Sequence, residues 1–280
     1  MKTIIPSEIP IPKLHHYLLG AVGPRPIAFA STIDKDGNRN LAPFSFFNVF
    51  SANPPILIFS PSRSGRTGET KHTHDNVKEV AEVVINIVNY SMVHQMSLAS
   101  SPYPKGVDEF TKSGFTPIES LTVKPWRVKE SPVQIECEVI EVKELGELGG
   151  AGNLIICKVK CIHIDEAILD ANEEIDQTKI DQVARMGGNW YCRAHGEALF
   201  EVQKPLTTIG IGIDALPDHI RFSKILTGNH LGQLGNLEHL PTEEKITEVK
   251  NSVDVNTNKE ELAIELINKG EVEKALCLLL

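Results

Sequence analysis

A mainly β chain, folded as an antiparallel barrel with a few short helices and a helical C-terminal tail, is predicted by three features of the 280-residue sequence. Short apolar segments alternate with turn signals through the first ninety or so residues. Two cleanly alternating segments flank the glycine-rich loop 146–153, and sustained helical spacing is confined to the end of the chain.

The elements follow in order. Pro26 to Thr32 (PIAFAST) is short, apolar and rich in small residues; the Asp36-Gly37 turn then leads into NLAPFSFFNVFS, so the pair reads as a hairpin. Pro55 to Ser60 (PILIFS) is a third strand, entered through Pro54-Pro55 because prolines are tolerated at a strand's start and not in its middle. From His72 to Ala81 the period changes: Thr73 and Asp75 are candidate N-caps ahead of Val77, Val80 and Ala81, which predicts a short helix running into a strand over 82–89. In the segment 132–144, Val133, Ile135, Cys137 and Val139 share one face, and Gln134, Glu136 and Glu138 share the other. Across the loop, Ile155, Cys157, Val159, Cys161 and His163 form one face opposite Lys158 and Lys160, completing a second hairpin.

The composition changes after about Gly235. Residues 241–280 hold nine acidic and five basic side chains, a net of −4. The stretch 241–258 is polar and reads as a linker, followed by Leu262, Leu266 and Ile267 and then Val272, Ala275, Leu276 and Leu279 at helical spacing around Gly270. We therefore expect a main domain over 1–205, a connecting extension over 206–240 and an acidic helical tail over 241–280. The apolar stripe of the tail suits docking onto its own domain or a twin subunit.

Charge and cysteine usage narrow the function classes. With 28 Lys and Arg against 37 Asp and Glu the net charge is −9, and no basic run stands out, which argues against nucleic acid as a partner. Prolines at 6, 10 and 12 interrupt the N-terminal apolar stretch before it reaches signal-peptide length, and no membrane-spanning run follows, so a cytoplasmic protein is expected. The five cysteines form no CxxC pair and read as reduced thiols. His72 and His74 stand two apart at a helix start, point away from each other and lack companion ligands, so no metal site is expected. The hydrolase, zincin and Rossmann signatures are missing: Gly210-Ile211-Gly212 has no third glycine.

Two stretches carry candidate chemistry. Ser60 to Asn76 (SPSRSGRTGETKHTHDN) combines hydroxyls, cations and glycines between a strand and a helix start, which is what a phosphate requires: O–H and N–H donors, positive charge and the positive end of a helix dipole. A solvated polar loop is the plainer alternative. Ala42 to Asn48 (APFSFFN) places small and hydroxyl residues beside three phenylalanines, a mixture suited to a flat heteroaromatic ring, although core packing explains at least one of them. Strand alternation puts Phe44, Phe46 and Asn48 on one face and Ser45 and Phe47 on the other.

GPRPIAFAST, NLAPFSFFN, NPPILIFSPS, KHTHDN, GVDEF, SPVQIECEV and RMGGNWY, in this order and spacing, resemble the flavin reductase-like, FMN-binding split-barrel family that includes flavoredoxins. The resemblance covers about residues 18–193. It implies a split β-barrel, a homodimer and non-covalently bound FMN near the subunit interface. Phe44, Ser45, Phe46, Phe47 and Asn48 would border the ring; Ser60, Arg63, Lys71, His72 and Thr73 would hold the phosphate side; Asn76 would support the loop. His72 departs from the Asp usual in the family, which removes a negative charge from the phosphate's surroundings. Asp108 and Glu109 would cap a helix or close over the cofactor, and Arg185, Trp190 and Tyr191 would approach the interface or the ring. The implied activity is an NAD(P)H:flavin oxidoreductase, with NADH or NADPH as donor. The alternatives are a flavoredoxin-like electron carrier with a protein redox partner, for which the acidic tail would provide steering, and a partner-binding barrel that has lost its cofactor. A flavin carries the hydride chemistry itself, so no catalytic acid–base pair is expected.

Overall fold

The computed structural model describes residues 1–253 and 258–280. It separates into two compact units, Met1–Phe200 and Glu201–Leu280.

The first unit opens with α1 (Ile11–Ala21), followed by β1 (Ala28–Ile33), β2 (Arg39–Phe44), β3 (Phe47–Ala52), β4 (Pro55–Phe59), α2 (His72–Glu79) and β5 (Glu82–Ile87). Then come α3 (Val93–Ala99), α4 (Glu109–Ser113), the short pair β6 (Pro117–Ile118) and β7 (Arg127–Val128), the long strands β8 (Val133–Glu144) and β9 (Asn153–Ile164), and the pair β10 (Val183–Arg185) and β11 (Tyr191–Arg193). Seven strands form one antiparallel sheet in the order β2-β1-β5-β8-β9-β4-β3. Its two end strands, β2 and β3, are joined through Ser45 and Phe46 alone, so the chain ties the sheet's opposite edges at one corner. That connection, too short to span an open sheet, makes the sheet a split barrel.

Both faces of β1 are covered, and all six of its residues are buried. Ala28 and Ala30 face the barrel interior with Phe59, Val83, Ile85, Cys137, Ile155 and Cys157. Phe29 faces the other way, into a layer formed by Leu41, Met92, Met96, Phe110 and Phe115.

Within the first unit, three sequence expectations need correction. NLAPFSFFNVFS is two strands and not one, since it bends at Ser45–Phe46. Neither Thr73 nor Asp75 caps α2: Lys71 occupies the N-cap position without a side-chain cap, and Thr73 instead donates to Asn40 Oδ1 at 2.8 Å. The faces of the β8–β9 hairpin also change along its length. Cys137 pairs with Val159 but Glu136 pairs with Cys161, which leaves Lys160 as an extra residue, a β-bulge. Residues opposite one another share a face, so the bulge turns Cys161 and His163 away from Val159 and onto the side of Glu136 and Gln134. That side is covered: Glu136 has no exposure and accepts the backbone N–H groups of Leu121 and Thr122 at 2.7 and 2.6 Å.

The second unit contains α5 (Asp218–Arg221), α6 (Gly228–Gly235), α7 (Glu243–Asn251), α8 (Lys259–Asn268) and α9 (Val272–Leu279), packed around Leu234, Ala263, Ile267, Ala275 and Leu276. The reading of 241–258 as a linker is overturned over 243–251. Thr242 accepts the N–H of Lys245 to cap α7, whose Ile246 is buried and whose Val249 packs against the unit's core. Residues 254–257 of that predicted linker lie outside the described residues. No described helix is long and apolar enough to cross a membrane.

Candidate cofactor site

The corner between β2 and β3 is built from its neighbours. Phe44 and Phe47 both pack on the barrel interior, Phe44 with its ring centroid 5.6 Å from that of Phe59. Phe46 points outward, 41% exposed, and stands edge-on to His15 of α1 at 6.5 Å. Asn48 is exposed, and its Oδ1 accepts the N–H of Val49 at 2.8 Å. The alternation expected for these five residues fails because the strand is broken at Ser45–Phe46, which turns two phenylalanines inward and leaves Phe46 exposed.

Arg25 supports the corner from behind. It is buried, with Nε 3.5 Å from Ser45 Oγ, and its guanidinium donates to the carbonyls of Leu19 at 2.8 Å, Val22, and Met186 at 2.9 Å. It thus closes the C-terminal end of α1, where carbonyls lack helical partners. Burial, and secondly the nearby Arg185, lower its pKa from the usual arginine value. Arg185 exchanges backbone hydrogen bonds with Arg25 and stacks its guanidinium on the Tyr191 ring at 4.6 Å, whereas Trp190 is exposed.

The segment after β4 starts at this corner: Ser60 N donates to Phe46 O at 2.9 Å. From there it is zipped to the 145–153 loop. Ser60 Oγ accepts Asn153 N at 3.0 Å, Asn153 Nδ2 donates to Pro61 O at 2.8 Å, and Arg63 N donates to Ala151 O at 2.8 Å. The approach is close enough to require glycine. A Cβ at Gly152 would lie 2.8 Å from Ser60 Oγ, and one at Gly149 would lie 2.8 Å from the Ser64 carbonyl. Arg63 also pairs with Glu144 at 3.3 Å.

Farther along, the predicted residues part company. Lys71 is exposed at the start of α2, and His72 lines a small cavity with Asp34, Asn40, Asn76 and Lys105. Thr73 and Asn76, 1% and 3% exposed, point into the protein. Thr73 donates to Asn40 Oδ1, and Asn76 donates to Thr32 Oγ1 at 3.1 Å. Asn40 in turn donates to Glu109 Oε1 at 3.1 Å, and Glu109 Oε2 accepts Leu41 N at 3.0 Å. Burial, the largest influence, raises the pKa of Glu109 against the effect of these bonds. Asp108 caps α4 by accepting Phe110 N at 2.9 Å and pairs with Arg39 at 2.7 Å. Asp108 and Glu109 are thus both engaged in contacts that fix β2 to α4.

Sequence reasoning passed over Arg25, Asn40, Asn153 and Glu144. Arg25 was visible in GPRP, but nothing in the sequence shows which loops lie side by side. One buried donor tests whether the arrangement fits FMN: Arg63 Nε has no hydrogen-bond partner among the described residues. Buried polar groups are seldom left so. An unpartnered guanidinium N–H on the segment that starts at Ser60, whose own N–H is bonded to the carbonyl of the half-exposed Phe46, fits a phosphate monoester carrying a flat ring. No group of three or more His, Cys, Asp and Glu is placed to hold a metal among the described residues.

Comparison with known proteins agrees with this architecture. Residues 21–179 match the model of the flavin reductase like domain. An uncharacterized protein of Aquifex aeolicus is 37% identical over 190 residues, covering 68% of this chain and 94% of its own length. Nitrilotriacetate monooxygenase component B from Bacillus cereus superposes with a TM-score of 0.67 at 32% identity, over 72% of this chain and 98% of that one. Flavoredoxin from Methanosarcina acetivorans shares the fold, with a TM-score of 0.56 at 20% identity over 74% and 98% of the two chains. The chain therefore belongs to the flavin reductase-like family of split-barrel proteins.

Proposed function

We propose that this protein holds FMN non-covalently at the corner between β2 and β3 and acts as an NAD(P)H:flavin oxidoreductase. The observation that carries the reading is the backbone bond from Ser60 N to Phe46 O. It makes the start of the hydroxyl- and cation-bearing loop the immediate neighbour of the exposed aromatic corner. One ligand with a ring at one end and a phosphate at the other meets both.

FMN, when bound, supplies the hydride chemistry. The chain's share is binding and orientation. Phe46 and the backbone from Ser45 to Asn48 border the ring, with Phe44 and Phe47 anchoring that backbone in the barrel. Ser60 and Arg63 hold the phosphate side, and Lys71 and His72 add donors at the far end of the loop. Thr73 and Asn76 act from behind, fixing α2 to Asn40 and Thr32. A second copy of the chain completes the assembly: α1 buries none of its residues, and edge strand β3 leaves Val49 and Phe50 64% and 62% exposed.

The test is the absorption spectrum of the purified protein before and after anaerobic addition of NADH and then NADPH. A flavin spectrum bleached rapidly by one nucleotide supports the reductase and identifies its donor. A flavin spectrum that persists under both nucleotides, but is reduced by a ferredoxin-type donor, replaces the reductase with an electron carrier. Failure to take up FMN overturns the reading.

A further inference from the structure

Glu144, at the end of β8, is met by three nitrogen-bearing side chains. Its Oε2 lies 3.3 Å from an Arg63 terminal nitrogen, and its Oε1 lies 3.2 Å from both Lys78 Nζ and His74 Nε2. His74 and Lys78 stand four apart on one face of α2, while Arg63 arrives from the loop after β4. Despite this proximity, two nitrogens remain unsatisfied. His74 is 3% exposed and its Nε2, though near Glu144, is out of line for a hydrogen bond; Arg63 Nε is buried without a partner among the described residues. The other contacts here are Asp75 Oδ1 on His74 Nδ1 at 3.0 Å and a long bond from Arg63 to Gly68 O at 3.4 Å.

As placed, the two carboxylate oxygens leave Arg63 Nε and His74 Nε2 without a hydrogen bond. A phosphate monoester, with three terminal oxygens and close to two negative charges, has the valence for such a set. We propose that Arg63, His74 and Lys78 form an anion subsite for the phosphate of a phosphate monoester, and that Glu144 is its internal stand-in, displaced when the ligand binds. Glu144 is suited to leave, because its side chain is 35% exposed and sits at a strand end beside the 145–153 loop. The inference rests on the flavin reading insofar as the monoester is FMN, and it adds two ligands, His74 and Lys78, and a competitor to that site.

The proposal has a sign. If Glu144 competes for the donors, its removal frees them, since a ligand's apparent affinity falls with the fraction of sites held closed. If Glu144 instead orders Arg63 for the ligand, its removal weakens binding. The experiment compares full-length wild type, Glu144→Gln and Lys78→Gln by titration with FMN and with riboflavin, which lacks the phosphate, and by the thermal shift that inorganic phosphate produces. We expect Glu144→Gln to bind FMN about tenfold tighter, the size of one partly screened charge contact. Riboflavin affinity should not change, and the phosphate shift should grow. Lys78→Gln should weaken FMN several-fold, again without affecting riboflavin.

Unchanged or weaker FMN binding by Glu144→Gln overturns the proposal while leaving the flavin reading intact. If no variant binds any flavin but phosphate still stabilises Glu144→Gln more than wild type, the flavin reading fails and the subsite stands for another monoester. Should Glu144→Gln not fold, Lys78→Gln decides alone: equal loss of FMN and riboflavin affinity, or no loss, overturns the subsite.

Discussion

The carboxyl of Glu136 is fully buried, yet its pKa is lowered from 4.5 to about 2. Burial acts in the opposite direction and is the largest single influence; the hydroxyl of Thr122, the N–H groups of Leu121 and Thr122, and His163 at 2.7 Å together outweigh it. A depressed carboxyl pKa contributes stability that is present above the unfolded value near 4.5 and is lost as pH falls through about 2. Glu136→Gln keeps the volume but replaces an acceptor with a donor facing N–H groups. We expect it to lower stability at pH 7 by about 3 kcal/mol, and to flatten the fall in stability between pH 4.5 and 2. Urea unfolding at pH 7 and pH 3 checks this; equal midpoints for variant and wild type at pH 7 would refute it. Alternation alone groups Glu136 with Gln134 and Glu138 on the polar face of the strand. The covering segment lies some fifteen residues away in sequence, at Leu121 and Thr122, and period-2 spacing carries no information about what lies on top of a strand.

At the scale of elements, the turn between α8 and α9 shows a local signal that sufficed. Gly270 N donates to Ile267 O and Glu271 N to Leu266 O, both at 2.9 Å, with Gly270 at φ +80°: a Schellman ending that spares the last carbonyls from desolvation. Gly270→Ala forces a Cβ into the left-handed region, and we expect a loss of about 1–2 kcal/mol in the second unit's stability, read as a lower thermal midpoint. The space around Gly270 is open, so no clash contributes. An unchanged midpoint would mean that the turn relaxes out of this conformation. The helices around Gly270 were legible because the apolar spacing and the glycine agree. Helix α7 is hard to read since its apolar residues are few: Ile246 and Val249 on one side of nine otherwise polar positions read as a linker until the burial of Ile246 and the packing of Val249 on the unit's core are known. The break at Ser45–Phe46 was hidden for the converse reason. APFSFFN has strong strand character throughout, and only the closure of the barrel demands a corner there.

For the whole molecule, closure explains both what the candidate site contains and what it leaves exposed. Tying β2 to β3 brings 45–48, 60–63 and 149–153 to one corner, although the motifs are separated by up to a hundred residues. The sequence displays each motif but not their meeting, which is why the ring and phosphate stretches were legible and the glycine pair against Ser60 and Ser64 was not. The same closure leaves β3 as an edge strand whose Val49 and Phe50 project outward. An edge with unpaired backbone groups and large apolar side chains is an association surface unless something covers it. In this chain neither proline nor charge interrupts β3, whose sequence is FNVFSA. We therefore expect the wild type to sediment as a dimer at micromolar concentration and Phe50→Glu to sediment as a monomer. Since Phe50 is 62% exposed, the substitution should change unfolding of the isolated chain by no more than about 0.5 kcal/mol. A charge opposite its own symmetry mate is repelled at a two-fold interface, so the effect on association should far exceed the effect on folding. A monomeric wild type, or a variant that dimerises as well as its parent, would show that β3 is covered in some other way.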